Sequence, residues 1–321
     1  MPVDVTLASY GDLAFNTTLV LYLLAMVLHA VEYAARREVA VPAATEMHGS
    51  GVAILEPPAA AAPPRRSPVE RAGRAAVALL VLAAGVHGVS LVFRGLAVGR
   101  VPWGNMYEFT SAVCFVAVVA WLVVLHRQRV VAPALRSLGV FVLAPVVILL
   151  FLAGTVLYAE AAPLIPALNS YWIAIHVAAA IIASGTLLVA GVASVLYLVA
   201  ARHESRPGST SAVGVRLPPA ATLDRLAYRT TVVAFPIWTF ALITGAIWAE
   251  AAWGRYWGWD PKETVALVAW VVYACYLHAR ATAGWRGTRS AWINIAGFAV
   301  MVFNLFFINI VVAGLHSYAG V

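Results

Sequence analysis

In its last quarter, between two apolar runs, the chain reads Trp253-Gly254-Arg255-Tyr256-Trp257-Gly258-Trp259-Asp260-Pro261-Lys262-Glu263. Three tryptophans this close together exceed what an interfacial aromatic belt needs, and a belt does not explain the glycines between them. Gly254 and Gly258 remove bulk and free the backbone, so the indoles can lie flat as a platform for a large planar apolar ligand. Asp260 and Pro261 read as the N-cap and first residue of the next helix, with Glu263 in its first turn. Capping explains these two acids better than acid/base catalysis does. Four of the eight histidines sit where a metal ligand would serve. His176 falls about five residues into an apolar run, within roughly 8 Å of its end, and His316 lies just past the last run. Flanking the Trp-rich loop, these two imidazoles can grip a planar metal chelate from opposite faces, with its edge on Trp253, Trp257 and Trp259. Either alone reads equally well as an interfacial polar group satisfied by water or backbone. His87 and His278 form a second candidate pair inside apolar runs, where such groups are costly and usually mark a pathway. Their depths differ, about 18 Å against about 8 Å from the same edge, and structural, hydrogen-bonded histidines are the competing reading.

The elements that must position these residues are membrane helices. Of 321 residues, 63% are hydrophobic and 11% charged, and the mean hydropathy is +0.87, outside the range of soluble domains. Eight apolar runs are long enough to cross a hydrocarbon layer of roughly 30 Å, at approximately 13–35, 75–93, 107–125, 138–158, 172–200, 230–249, 263–279 and 291–313. They lack the alternation of barrel strands, so the expected fold is all-α: a polytopic integral membrane bundle. The formal charge of +7 does not indicate nucleic acid, because it is split between alternate loops. Seventeen of the 21 basic residues fall within 36–74, 127–136, 202–229 and 280–289, leaving Arg94, Arg100, Arg255 and Lys262 on the other side. The positive-inside bias therefore places both termini and the loops 94–106, 159–171 and 250–262 outside.

The first run has no basic residue before Arg36 and reads as a retained anchor over 1–35. Residues 36–74, rich in Ala, Pro and Arg, read as a disordered cytoplasmic linker, followed by one membrane domain over 75–321. A second connector is expected at 203–222. Cys114 and Cys275 lie inside apolar runs and are expected to be small buried residues. With no CxxC or CxxCH, the chain offers no redox pair and is not itself a c-type cytochrome.

Imidazole commonly holds haem iron axially, which makes an iron porphyrin the natural planar ligand. The loop resembles the tryptophan-rich WWD signature of haem-handling membrane proteins, and its continuation to His278 is similar to the CcsA/ResC-type subunit of system II cytochrome c biogenesis. Pro102-Trp103-Gly104-Asn105-Met106-Tyr107-Glu108-Phe109, Ser170-Tyr171-Trp172-Ile173-Ala174-Ile175-His176 and Gly314-Leu315-His316-Ser317-Tyr318-Ala319-Gly320 match the same family in order. The resemblance implies a subunit of a cytochrome c synthase in the bacterial cytoplasmic membrane, carrying haem b to the outer face for thioether attachment to the CxxCH of an apocytochrome c. It implies a ResB/Ccs1-type membrane subunit and a thioredoxin-like thiol reductant as partners, besides the lipid bilayer, and no nucleic acid. His176 and His316 would be axial ligands outside, His87 and His278 a second pair inside the bilayer. Of the four basic residues on that side, Arg255 or Lys262 could pair with a haem propionate, Arg94 and Arg100 supplying the remaining charge, and solvated charges that anchor helix ends read equally well for each; Asp260 belongs to the signature. A haem chaperone or exporter without ligation activity is the alternative reading.

Overall fold

The computed structural model describes residues 3–35, 67–128, 132–164, 170–206 and 211–316. Among them there is no strand. The helices are α1 (Val5–Ala35), α2 (Pro68–Val98), α3 (Met106–Arg127), α4 (Ala132–Arg136), α5 (Gly139–Thr155), α6 (Tyr171–Glu204), α7 (Ala220–Trp253), α8 (Pro261–Ala281), α9 (Thr288–Leu305) and α10 (Phe307–Val311). Eight spans in the described residues are long and apolar enough to cross a membrane, with α4–α5 and α9–α10 each contributing one. Each coincides with one of the eight runs expected from sequence.

Several helices begin before their apolar runs do. α2 starts at Pro68, seven residues before the expected boundary, so the end of the supposed linker is helix; its 36–66 portion lies outside the described residues. Ser67 is the N-cap, its hydroxyl accepting the Glu70 N–H at 3.1 Å. Pro68 therefore fills the helix position that tolerates proline, and does not break the chain. α7 starts at Ala220, whose N–H is capped by the Glu204 carboxylate at 2.8 Å, within the expected 203–222 connector. At 34 residues, α6 and α7 each run to about 50 Å and project beyond the hydrocarbon.

α6 is the most enclosed span, with two thirds of its apolar window buried. It packs along α7 and crosses α3 and α9, while α1 and α2 pair on the other side of α3 and α5. Its buried surface is rich in Ala, Gly and Ser, the residue types that let helix backbones approach within a bilayer, where apolar burial alone provides little drive. A Cβ at Gly185 would lie 2.7 Å from the Val113 carbonyl and 2.8 Å from the Ala117 nitrogen of α3. Gly185→Ala is therefore expected to destabilise the bundle by about 1–3 kcal/mol through overpacking, read as an earlier thermal unfolding transition in detergent. A Gly185→Ala protein melting with the wild type would show that α3 can yield.

The last span breaks at Phe306. There Asn309 Nδ2 donates to the Leu305 carbonyl at 2.7 Å, satisfying backbone that an unbroken helix would have satisfied itself. The break steers the chain toward the end of the bundle that carries the Trp-rich loop. The N-terminus reaches the same end, where the Asp4 N–H donates to the Ala97 carbonyl.

Candidate functional site

The Trp-rich loop is folded by one carboxylate. Glu263 Oε2 accepts the N–H groups of Gly258 at 2.9 Å and Asp260 at 3.2 Å, drawing the chain into a tight turn in which Trp259 takes φ 58°, a left-handed conformation rare for a bulky residue. The Arg255 guanidinium lies on Gly258, where any Cβ would collide with it. Arg255 is thus part of the loop's own packing, and it does not line the cavity beneath. The three indoles are not a flat shelf. Trp257 and Trp259 meet edge to face at 89°, and Trp259 is 69% exposed.

Beneath the loop lies a cavity of about 150 Å³, lined by Trp103 and Asn105 before α3, His176 on α6, Trp248 and Trp253 on α7, Trp257, Lys262 on α8 and His316. His176 is seated by one face of α7. Its Nδ1–H donates to the Ala241 carbonyl at 2.8 Å. Gly245, one turn on, leaves room for the ring, since a Cβ there would come within 2.7 Å of it. Trp248 lies parallel to the imidazole at 6.2 Å. Positions 241, 245 and 248 share a helix face, and that spacing of Ala, Gly and Trp was the available sequence signal for a seat that loop-centred reasoning missed.

His316 is held by Asp260. Its Nδ1–H donates to Asp260 Oδ1 at 2.9 Å, and Asp260 Oδ2 accepts the Leu315 N–H at 3.2 Å. A Cβ at Gly314 would reach 2.6 Å from that carboxylate, so the glycine lets the segment close over Asp260. Burial pushes the Asp260 carboxyl up, but hydrogen bonds from His316, Leu315 and Lys262 outweigh it and leave the group below its usual range. Burial holds the His316 imidazole below the usual histidine value, against the pull of the carboxylate. The dyad is therefore an ionised acid and a neutral imidazole at neutral pH. Trp248 touches both histidines, its ring 5.9 Å from His316, and Trp253 lies 5.1 Å from His316. In both imidazoles Nδ1 carries the proton, so the lone pair sits on Nε2, the state of a metal-ligating histidine whose orientation is fixed by a further partner.

The second pair of histidines is not brought together. His87 is fully buried on α2, with Nδ1 bonded to the Tyr22 hydroxyl at 3.1 Å and Nε2 to Ser111 Oγ at 2.9 Å, which ties α1, α2 and α3. His278 lies exposed in the last turn of α8. α2 packs chiefly on α1 and α3, whereas α8 packs chiefly on α7 and α9, so the two rings stand on helices that are not main neighbours.

Two of the four basic residues at the end that carries the Trp-rich loop are already committed. Arg94 Nε donates to Glu108 Oε1 at 3.0 Å and also reaches the Ala159 carbonyl. Arg100 meets Glu108 Oε2 at 2.7 Å and the Ala162 carbonyl at 3.0 Å. The cluster locks the segment before α3 to the loop after α5. It gives Arg94 and Arg100 a structural role, the anchoring of helix ends. Among the described residues Lys262 is the basic side chain left on the cavity wall, where it donates to Asn309 Oδ1.

A multi-pass helical membrane protein with two anchored imidazoles and a cluster of indoles at one end of its bundle is thereby defined. The model of the cytochrome C assembly protein family matches residues 103–316, and the chain belongs to that family. Except for Val101, every residue lining the cavity lies within that stretch. The cytochrome c biogenesis protein CcsA of Parasynechococcus marenigrum (strain WH8102) is 36% identical over 253 residues, which cover 71% of this chain and 81% of the relative. The CcsA protein of Guillardia theta is 41% identical over 175 residues, covering 50% and 58%. Among solved structures, the cytochrome c heme lyase CcmF is similar with a TM-score of 0.62 at 17% identity, over 95% of this chain. That likeness shows a shared fold, and the chain spans 47% of that protein's length.

Proposed function

We propose that the chain is the haem-handling subunit of a cytochrome c synthase in the bacterial cytoplasmic membrane. In this reading it holds haem b at the extracytoplasmic face between His176 and His316 and presents it to the CxxCH thiols of an apocytochrome c. The observation that carries the reading is the matched state of the two imidazoles: each has Nδ1 tied to an acceptor fixed by the fold, and both line one indole-rich cavity. The residues fit haem on chemical grounds as well. Neutral imidazoles suit iron, the indoles suit an apolar macrocycle, and Lys262 offers an ammonium whose charged form a propionate would favour. The preponderance of basic residues at the opposite end supports an outward-facing loop.

In this scheme the Ala241 carbonyl and the Asp260 carboxylate would aim the imidazoles, Trp103, Trp248 and Trp253 would keep water from the bound group, and Lys262 would meet a carboxylate of it. Haem supplies the vinyl groups to which the cysteine thiols add. No cavity residue is placed as a nucleophile, which suits a reaction governed by positioning, where effective concentration provides most of the acceleration. A ResB/Ccs1-type membrane subunit and a thioredoxin-like reductant that keeps the CxxCH thiols open complete the proposed machinery.

The test is an absorbance spectrum of protein purified from haem-replete cells. Wild type should carry a Soret band, His176→Ala and His316→Ala should lose most of it, and His203→Ala at the far end should keep it. Colourless wild-type protein, or full colour in both cavity variants, would end the reading. Co-expression with the partner subunit and a CxxCH reporter then separates the two activities, since covalent haem on the reporter requires ligation and loose haem marks delivery alone.

A further inference from the structure

At the basic end of the bundle, far from the His176 and His316 cavity, a groove of about 820 Å³ opens between α2 and α3. Its walls are apolar: Val77, Ala78 and Val81 of α2 face Val119, Leu122 and Val123 of α3. Val81 and Val123 are each about half exposed, so these walls are unburied by protein. From Arg74 to Val81 the trough descends seven residues, roughly 10 Å along the helix, which is the depth of the upper part of an acyl chain.

The rim is cationic. Arg74, His126, Arg127 and Arg136 line it, and no carboxylate does among the described residues. Arg136 is neutralised by the buried Glu32, with Nη2 to Oε1 at 2.6 Å. Arg74 and Arg127 are exposed and make no hydrogen bond or ion pair with the described residues. Two unmatched guanidiniums above an apolar trough at the level of a helix end favour an amphiphile with an anionic head. Guanidinium donors match phosphate oxygens in pairs. The ammonium of a zwitterionic lipid would instead bring a further positive charge to this rim.

We propose that this groove is a binding site for one acidic phospholipid, its phosphate held between Arg74 and Arg127 and an acyl chain lying along Val77, Val81, Leu122 and Val123. The site is separate from the proposed haem chemistry and stands or falls without it.

Native mass spectrometry of the full-length detergent-solubilised protein with added phosphatidylglycerol or phosphatidylcholine tests the assignment. One phosphatidylglycerol should be retained with a preference of roughly tenfold or more over phosphatidylcholine. The preference should vanish in Arg74→Ala/Arg127→Ala and persist in Arg206→Ala/Arg225→Ala, which removes the same charge elsewhere at that end. Because Arg74 and Arg127 are exposed, the variant should keep the wild-type melting curve, so lost retention would report the site and not the fold. Equal retention of both lipids, retention in the first double variant, or equal loss in the second would overturn the proposal. Displacement of phosphatidylglycerol by stoichiometric added haemin would overturn it too, by showing a different occupant.

Discussion

Replacing Glu108 by alanine is expected to destabilise the protein by roughly 3–5 kcal/mol, the penalty for breaking a buried ion pair from one side. Arg94 is 3% exposed and Glu108 1% exposed. Without the carboxylate, Arg94 keeps the Ala159 carbonyl and a distant Asp12 at 3.7 Å as its acceptors. Arg100 loses both its contacts to Glu108, and the Gly104 N–H loses the Glu108 oxygen at 2.8 Å. Gly104 and its neighbours Trp103 and Asn105 form one wall of the cavity, so haem retention should fall together with stability. Glu108→Gln keeps an acceptor of the same shape and should retain more of both. Thermal unfolding in detergent and the Soret absorbance read the two effects. A Glu108→Ala protein that melts with the wild type would show that Asp12 and the carbonyls suffice for the two arginines.

If His316 ligates haem as proposed, Asp260→Ala is expected to weaken haem binding about 10- to 100-fold, the usual cost of removing the partner that orients a ligating histidine. One carboxylate holds three things here: the start of α8, the Leu315 N–H and the His316 ring. Losing the cap alone costs about 0.5–2 kcal/mol of stability. Asp260→Asn separates the roles, because an amide oxygen still caps the helix and accepts from His316 but carries no charge. If the carboxylate polarises His316, the bound haem of Asp260→Asn should show a higher midpoint potential, since a less electron-rich imidazole stabilises ferric iron less. A role limited to capping would lower the stability of Asp260→Ala alone while leaving its haem affinity and the potential of Asp260→Asn unchanged, and that pattern would remove Asp260 from the site.

The membrane architecture was legible because it is written locally. A run of some 20 apolar residues needs no partner to be recognised, and eight of them appear where eight spans lie. The start of α8 at Asp260 and Pro261 was legible for the same reason, as were the positions of His176 and His316 near the ends of their spans. The Ser67 cap before α2 was equally local, yet it was obscured by counting Pro68 as a helix breaker when it occupies the first helical position.

What the tertiary structure decided concerns rotation and neighbours. A helix's apolar run fixes its length but not which face meets which neighbour, so the sequence could not show His87 turning to Tyr22 and Ser111 while His278 is exposed on α8. It could not show Arg94 and Arg100 converging on Glu108, since that cluster depends on the packing of α2 and α3 and on the course of the loop after α5. The perpendicular setting of Trp257 and Trp259 follows from the turn imposed by Glu263. The seat for His176 at Ala241, Gly245 and Trp248 exists only once α6 lies along α7. Composition and periodicity determined that these helices form and where they end; close packing between helices remote in the chain determined which side chains share a cavity.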